Sequence, residues 1–184
     1  MRLPPTPARL DAAWIADALN RADAILAAPP SRPHLVRVEP KGALVQRFAL
    51  PLELCLPQNR TRHGKPWELG KVKRDLGLLM FLQARGRRRA ALPGRPFVRC
   101  VRFSSVETDA YSDWAKAAVD RLTEKHDGLG YLRDDRPADV EIHQWSEYVP
   151  PRKGFCLVEV FAGDPAAVVA PRPAKRPKRT RRAA

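Results

Sequence analysis

Hydrophobic positions along the chain follow two periods, which predict helices and strands in a definite order. Apolar residues recur at helical spacing in segments 8–28, 66–83 and 109–125. Alternating or continuous apolar runs predict strands at 45–56, 97–103, 140–145 and 155–161. After the first helix, the predicted order of elements is therefore β-α-β-α-β-β.

The last two predicted strands are separated by a short turn, residues 150–154, with the sequence Pro-Pro-Arg-Lys-Gly. This spacing predicts a hairpin. Two helices placed between strands, followed by a hairpin, predict an α+β fold in which a mixed sheet carries its helices on one face. The N-terminal helix is ended by Pro29-Pro30. We expect it to dock either on this core or on a partner.

Composition divides the chain into three parts. Residues 1–43 form a Pro/Ala-rich N-terminal extension with one helix, and residues 44–163 form the folded domain. Residues 164–184 are a basic tail, in which 171–184 hold seven basic residues and no acidic one. Such a segment buries too little apolar surface to fold alone, so we expect it to be disordered.

The net charge of +14 and the pI near 10.5 indicate a polyanionic partner. Nucleic acid is the commonest such partner, and we expect no association with a membrane. No run of about 18 apolar residues and no secretory signal are visible. Three widely spaced cysteines without a CxxC pair favour reduced thiols over a zinc site. These features together predict a cytoplasmic protein.

Two basic loops and the tail supply candidate contacts to nucleic acid. Residues 85–102 contain seven arginines. Arginine contacts to phosphates give affinity without sequence choice, whereas the alternative is an ordinary solvated loop. The residues expected to contact DNA are Asn59, Arg60, Arg62, Arg87, Arg88, Arg89, Lys175, Arg176, Lys178 and Arg179.

The third helical segment carries a polar stripe. At about 100° per residue, Asp109, Asp113, Lys116 and Asp120 fall on one face of the helix, opposite apolar residues. An ordinary surface helix also shows such a stripe, and pairing of Lys116 with acids three and four residues away accounts for it.

An acidic pair, Asp134-Asp135, follows a glycine-containing loop and precedes a predicted strand. If this pair meets the stripe, the clustered carboxylates offer the oxygen ligands that Mg²⁺ prefers. One or two such ions activate water and stabilise the leaving oxygen in phosphodiester cleavage. A neighbouring lysine would neutralise charge developing on the phosphate.

Together, these elements resemble the RusA-type Holliday-junction resolvases. The family motif is close to D-x-D-N-x-x-K-x-x-x-D-x-L, followed by a glycine-containing loop, an Asp-Asp pair and a final hairpin. Lys116, Asp120 and Leu122 match the motif, and Asp134-Asp135 match the acidic pair. The segment Leu56-Pro57-Gln58-Asn59-Arg60 is similar to the family's strand followed by Pro-Ser-x-Asn. The resemblance covers roughly residues 46–162.

The resemblance implies a homodimer that binds branched, four-way DNA and cuts it symmetrically with Mg²⁺. It implies a role in DNA recombination and repair, in the bacterial cytoplasm or nucleoid or encoded by a phage. Catalytic roles are implied for Lys116, Asp113 and Asp135. The implied metal ligands are Asp109, Asp113, Asp120, Asp134 and Asp135.

The first acidic motif departs from the family pattern. Aligned on Lys116, Ala110 and Ser112 stand at the first two aspartates of the family, and Asp113 stands at its asparagine. Either a one-residue shift lets Asp109 and Asp113 serve as ligands, or the chain is a catalytically inactive DNA-binding protein on the same fold. The shared helical stripe favours the first alternative. A third hypothesis is an interaction protein that binds RNA or another acidic partner through its tails.

Overall fold

A computed structural model of the chain describes residues 11–32, 35–55, 66–106, 114–125 and 128–164. The elements are α1 (Ala12–Ala27), β1 (Leu44–Pro51), a 3₁₀ turn (Leu52–Leu54), α2 (Pro66–Gln83), β2 (Phe97–Ser104), α3 (Lys116–Leu122), β3 (Glu141–Tyr148) and β4 (Phe155–Phe161). The α+β class and the order β-α-β-α-β-β after α1 are therefore confirmed. The strand predicted over 45–56 ends earlier, at Pro51, where the chain enters the 3₁₀ turn.

The four strands form one mixed sheet in the order β1-β4-β2-β3. Strand β4 runs antiparallel to both β1 and β2, whereas β2 and β3 are parallel. The predicted hairpin is therefore wrong, because β2 lies between β3 and β4. All residues of β4 are buried, which suits a central strand, whereas most residues of β3 are polar and only Trp145 and Glu147 are buried, which suits an edge.

The two faces of the sheet are each covered by helix. Helices α2 and α3 share one face, as expected for the helices between the strands. Their buried residues and the strand residues beneath them include Leu76, Met80, Val119, Leu122, Phe48, Val98, Cys156 and Val158. Helix α1 covers the opposite face, where Ala18 and Ala22 pack with Val101, Phe103 and Leu157. The expected placement of α2 and α3 on one face is therefore present, and α1, whose docking the sequence left open, covers the other face because β4 is apolar on both sides.

Polar contacts fix both ends of α1. Asp11 is the N-cap, and its carboxylate accepts a hydrogen bond from the Trp14 amide at 2.9 Å. At the other end, the Arg37 guanidinium donates to the carbonyls of Ile25 and Leu26, which the helix itself leaves unpaired. α1 therefore docks on the core of its own chain.

Glu147 of β3 holds Arg37 in this position. Its fully buried carboxylate lies 2.6 Å from Arg37 Nε and accepts a hydrogen bond from Ser31 Oγ at 2.8 Å. Burial acts to raise the pKa of Glu147, but the bonds from Arg37 and Ser31 outweigh burial and lower it. The ion pair therefore links the C-terminal end of α1 to the edge strand.

We predict that Glu147→Gln lowers the free energy of unfolding by about 3 kcal/mol, because Arg37 then stays buried without its charged partner. Urea denaturation followed by circular dichroism measures the change. The control is Asp17→Asn on α1, whose carboxylate also pairs with an arginine but is 65% exposed. That variant should stay within about 0.5 kcal/mol of the wild type. Equal midpoints for the two variants would contradict the role given to Glu147.

Candidate nucleic-acid and metal site

Lys116, the first residue of α3, joins the helix to the acidic pair. Its ammonium group donates to the carboxylate of Asp120, one turn further along α3, and to the carboxylate of Asp135. The three side chains are between 31% and 49% exposed, so the cluster is open to solvent. Lys116, Asp120 and Asp135 therefore meet, which is part of the predicted convergence of the stripe with the acidic pair; Asp109 and Asp113 lie outside the described residues.

Charge keeps this lysine protonated. Burial is the largest single influence on Lys116 and acts to lower its pKa. The hydrogen bonds and charges of Asp120 and Asp135 together outweigh burial and raise the pKa above its usual value. The cluster thus holds a permanent cation between two carboxylates at neutral pH.

The segment after α3 positions the acidic pair by folding back along the helix end. The Leu132 amide donates to the carbonyl of Leu122 at 2.9 Å, and the Glu124 amide donates to the carbonyl of Leu132 at 2.9 Å. Gly130 makes the tight approach possible: its φ is +83°, and a Cβ there would lie 1.9 Å from the Arg89 carbonyl oxygen. Only glycine fits this position.

Asp134 is the buried member of the pair, with 3% of its side chain exposed. Its carboxylate lies 2.6 Å from Lys125 Nζ and 3.3 Å from Arg136 Nε, and it accepts the Asp135 amide at 3.0 Å. The hydrogen bond from Lys125, against the opposing effect of burial, lowers the pKa of Asp134 to about 2. Asp134 therefore fixes the backbone from which Asp135 projects.

The basic loop is bonded to the same segment. The Arg89 amide donates to the Leu129 carbonyl at 2.8 Å, and the Arg89 guanidinium lies 5.8 Å from the centre of the Tyr131 ring. Arg87, Arg88 and Arg89 are all exposed. The structure thus attaches three candidate phosphate contacts to the loop that carries Asp134 and Asp135.

Two other arginines of the basic region have structural partners instead. Arg99 of β2 pairs with the buried carboxylate of Glu159 on β4. Arg102 donates to the carbonyl of Cys55 at 3.0 Å. Because these side chains are held against the sheet, the expectation that they contact phosphate is not supported.

The remaining predicted site residues lie outside the described part of the chain. They are Asn59, Arg60, Arg62, Asp109, Asp113, Lys175, Arg176, Lys178 and Arg179. The described part of the third predicted helix spans Lys116–Leu122, so its predicted end at residue 125 is wrong. It ends early because residues after Leu122 pair with the segment that returns from residue 128.

Lys125 and Arg136 were not among the candidates from sequence, although they hold Asp134. The adjacency of Arg136 to the acidic pair is a signal that sequence reasoning could have used. Lys125 offers no such signal, because it contacts Asp134 only after the chain between these two residues folds back on itself.

Asp120 and Asp135 are the carboxylates of the cluster that could serve as ligands of a magnesium ion. Mg²⁺ is bound in proteins by one or two carboxylates together with waters and substrate phosphates. Both side chains are partly exposed and meet at the same ammonium group. Within the described ranges, no group of three or more His, Cys, Asp or Glu residues is arranged to hold a metal.

Comparison of the chain with protein-family models, with curated proteins and with solved structures finds no match in any of the three. Among the described residues, no helix is long and apolar enough to cross a membrane. The three cysteines are buried and form no disulfide with one another.

We predict that Asp134 contributes to stability in a pH-dependent way. Since its pKa is lowered on folding, its contribution is complete above the unfolded pKa of 3.8 and is lost as the pH falls towards about 2. Between about pH 5 and pH 2, the wild type should lose about 2 kcal/mol more than Asp134→Asn. Urea denaturation at each pH measures the difference.

Lys125→Met provides a second variant for this test, because it removes the strongest donor to Asp134 while leaving the carboxylate. The free energy of unfolding of Lys125→Met should therefore fall less than that of the wild type between the same two pH values. Identical pH profiles for the wild type and Asp134→Asn would contradict the assignment.

Proposed function

We propose that this chain is an Mg²⁺-dependent, structure-selective endonuclease that resolves four-way DNA junctions in recombination and repair, as the RusA-type resolvases do. The observation that carries the proposal is the contact of Lys116 with both Asp120 and Asp135. These residues match three separate positions of the family pattern, and they come from a helix and a loop that are distant in sequence. The resemblance implies that these three residues belong to one site, and their contact supports that expectation.

Asp120 and Asp135 are the residues that would hold Mg²⁺, with Asp109 and Asp113 proposed as further ligands. When bound, the ion supplies an activated water and stabilises the leaving oxygen of the phosphodiester. Lys116 donates hydrogen bonds and offers its positive charge to the scissile phosphate. Asp134 is a positioning residue, because it binds the Asp135 amide and not the solvent-facing side of the cluster.

The basic loop supplies affinity for the DNA backbone. Arg87, Arg88 and Arg89 are exposed beside the segment that carries Asp135. Contacts from such residues neutralise phosphates and hold the duplex arms irrespective of their sequence. The loop around Asn59 and the basic tail are proposed to extend the same surface. A homodimer would present two such sites to the two strands that symmetric resolution must cut.

A specific observation favours a second candidate, a DNA-binding protein without cleavage. Each described carboxylate of the cluster already has a cationic partner: Lys116 binds Asp120 and Asp135, while Lys125 and Arg136 hold Asp134. Such a cluster is electrostatically satisfied without a metal. Ala110 and Ser112 at the first two acidic positions of the family favour the same alternative.

We predict that the purified chain makes paired, symmetric nicks in a labelled four-way junction when Mg²⁺ is added, and none in EDTA. Asp135→Asn and Lys116→Ala should each reduce the cleavage rate by about 100-fold or more, because the first removes a proposed Mg²⁺ ligand and the second removes a positive charge beside the reacting phosphate. Denaturing gels measure cleavage, and mobility shifts in EDTA measure junction binding.

The matched control is Asp17→Asn, which removes one carboxylate from α1 on the opposite face of the sheet and should cut at the wild-type rate. Tight junction binding with no cutting in Mg²⁺ would establish the second candidate instead. Failure to prefer a junction over a linear duplex would contradict the structure-selective endonuclease, and failure to bind DNA of either kind would contradict both candidates.

A further inference from the structure

A cleft of about 290 Å³ opens between α2 and the segment that follows α3. It is separate from the Lys116 cluster: Asp120 and Arg121 are neighbours on α3, but their side chains point about 100° apart around the helix axis. The first serves the cluster and the second lines the cleft. The cleft and the proposed reaction site therefore lie next to each other, on two different faces of α3.

Three arginines line the cleft: Arg74 from α2, Arg88 from the basic loop and Arg121 from α3. No acidic residue is among the described residues that line it. Arg121 donates to the Lys73 carbonyl at 3.1 Å, which anchors its head group against α2. Gly77 makes room for it, since a Cβ there would lie 3.2 Å from Arg121 Nε. The lining of the cleft therefore carries three positively charged side chains.

The rest of the lining is apolar. Leu78, Phe81 and Leu129 lie between the arginines. Leu78 is 52% exposed, which is unusual for a large aliphatic side chain. A purely electrostatic surface for phosphates has no need of such residues. Guanidinium groups beside an aromatic ring and aliphatic side chains are instead typical of sites that bind a phosphate together with a flat base.

We infer that this cleft binds one unpaired nucleotide of a DNA strand, with its phosphate on the arginines and its base against Leu78 and Phe81. The inference rests on the proposed action on branched DNA, where nucleotides next to the branch can leave their stack. A volume near the lower end of the range for small-ligand sites suits a single nucleotide and excludes a duplex. The cleft would hold the strand on one side of α3 while the Lys116 cluster faces its neighbouring phosphate.

The test is a titration of the full chain with a five-nucleotide thymidine oligomer, without metal, followed by NMR of the leucine methyl groups. The methyl signals of Leu78 and Leu129 should shift and saturate. Leu78→Ser should weaken binding about tenfold, because it removes the apolar contact to the base, and Leu129 then reports the binding. Arg74→Gln should weaken it several-fold by removing one phosphate contact.

Each variant has a matched control on the same helix. Leu82 is 62% exposed and does not line the cleft, so Leu82→Ser should bind as the wild type does. Lys71 is exposed and also lies outside the lining, so Lys71→Gln tests the loss of one charge alone. Each of these substitutions is at an exposed side chain, which leaves the core intact.

The inference is overturned if the two methyl signals do not shift, or if the controls weaken binding as much as the cleft variants do. This outcome is distinguishable from failure of the proposed function. If junctions are cut but the methyl signals of Leu78 and Leu129 do not shift, the nucleotide-binding role of the cleft is wrong and the proposed function stands. If the oligomer binds in the cleft saturably but junctions are not cut, the proposed endonuclease activity is wrong and the cleft inference stands.

Discussion

The sheet depends on a buried charge at its centre. Glu159 lies on β4 with 2% of its side chain exposed, between Arg47 on β1 and Arg99 on β2, which are its direct neighbours in register. Arg47 also donates a hydrogen bond to Asp23 on α1, with its Nη1 atom 2.9 Å from Asp23 Oδ2. An unpaired carboxylate at this depth would cost several kcal/mol, and a one-residue slip would turn each partner to the other face. This one interaction therefore couples strand order, register and the docking of α1.

The helices and strands could be predicted from local patterns, and α2 and β4 were predicted with their observed bounds. Strand order could not be predicted in the same way. The five-residue turn before Phe155 suggests a hairpin, but the turn is long enough to pass the end of β2. The better signal was polarity: β4 is apolar on both faces except for Glu159, whereas five of the eight residues of β3 are polar. Which arginines would meet Glu159 depends on pairings between strands more than 50 residues apart.

The candidate site was predictable to the extent that it follows helical spacing. Lys116 and Asp120 are one turn apart, so their contact follows from the sequence. The approach of Asp135 was a hypothesis from the resemblance, and the structure supplies its cause in the fold-back at Gly130. The role of Lys125 and the cleft beside Arg121 depend on how that segment packs against α2 and the basic loop. Sequence periodicity contains no information about such packing between separate segments.

The central position of β4 has a consequence for how the chain acquires its structure. Strand β1 is completed more than 100 residues before its hydrogen-bonding partner β4. During synthesis, β1 and β2 must therefore wait with unpaired edges until β4 has been made. Closure of the sheet is therefore a late event that joins residues distant in sequence. Such topologies fold slowly, because the chain loses conformational entropy before the distant strands can pair. A chain interrupted before β4 would expose two apolar strand edges, which is the kind of surface that aggregates.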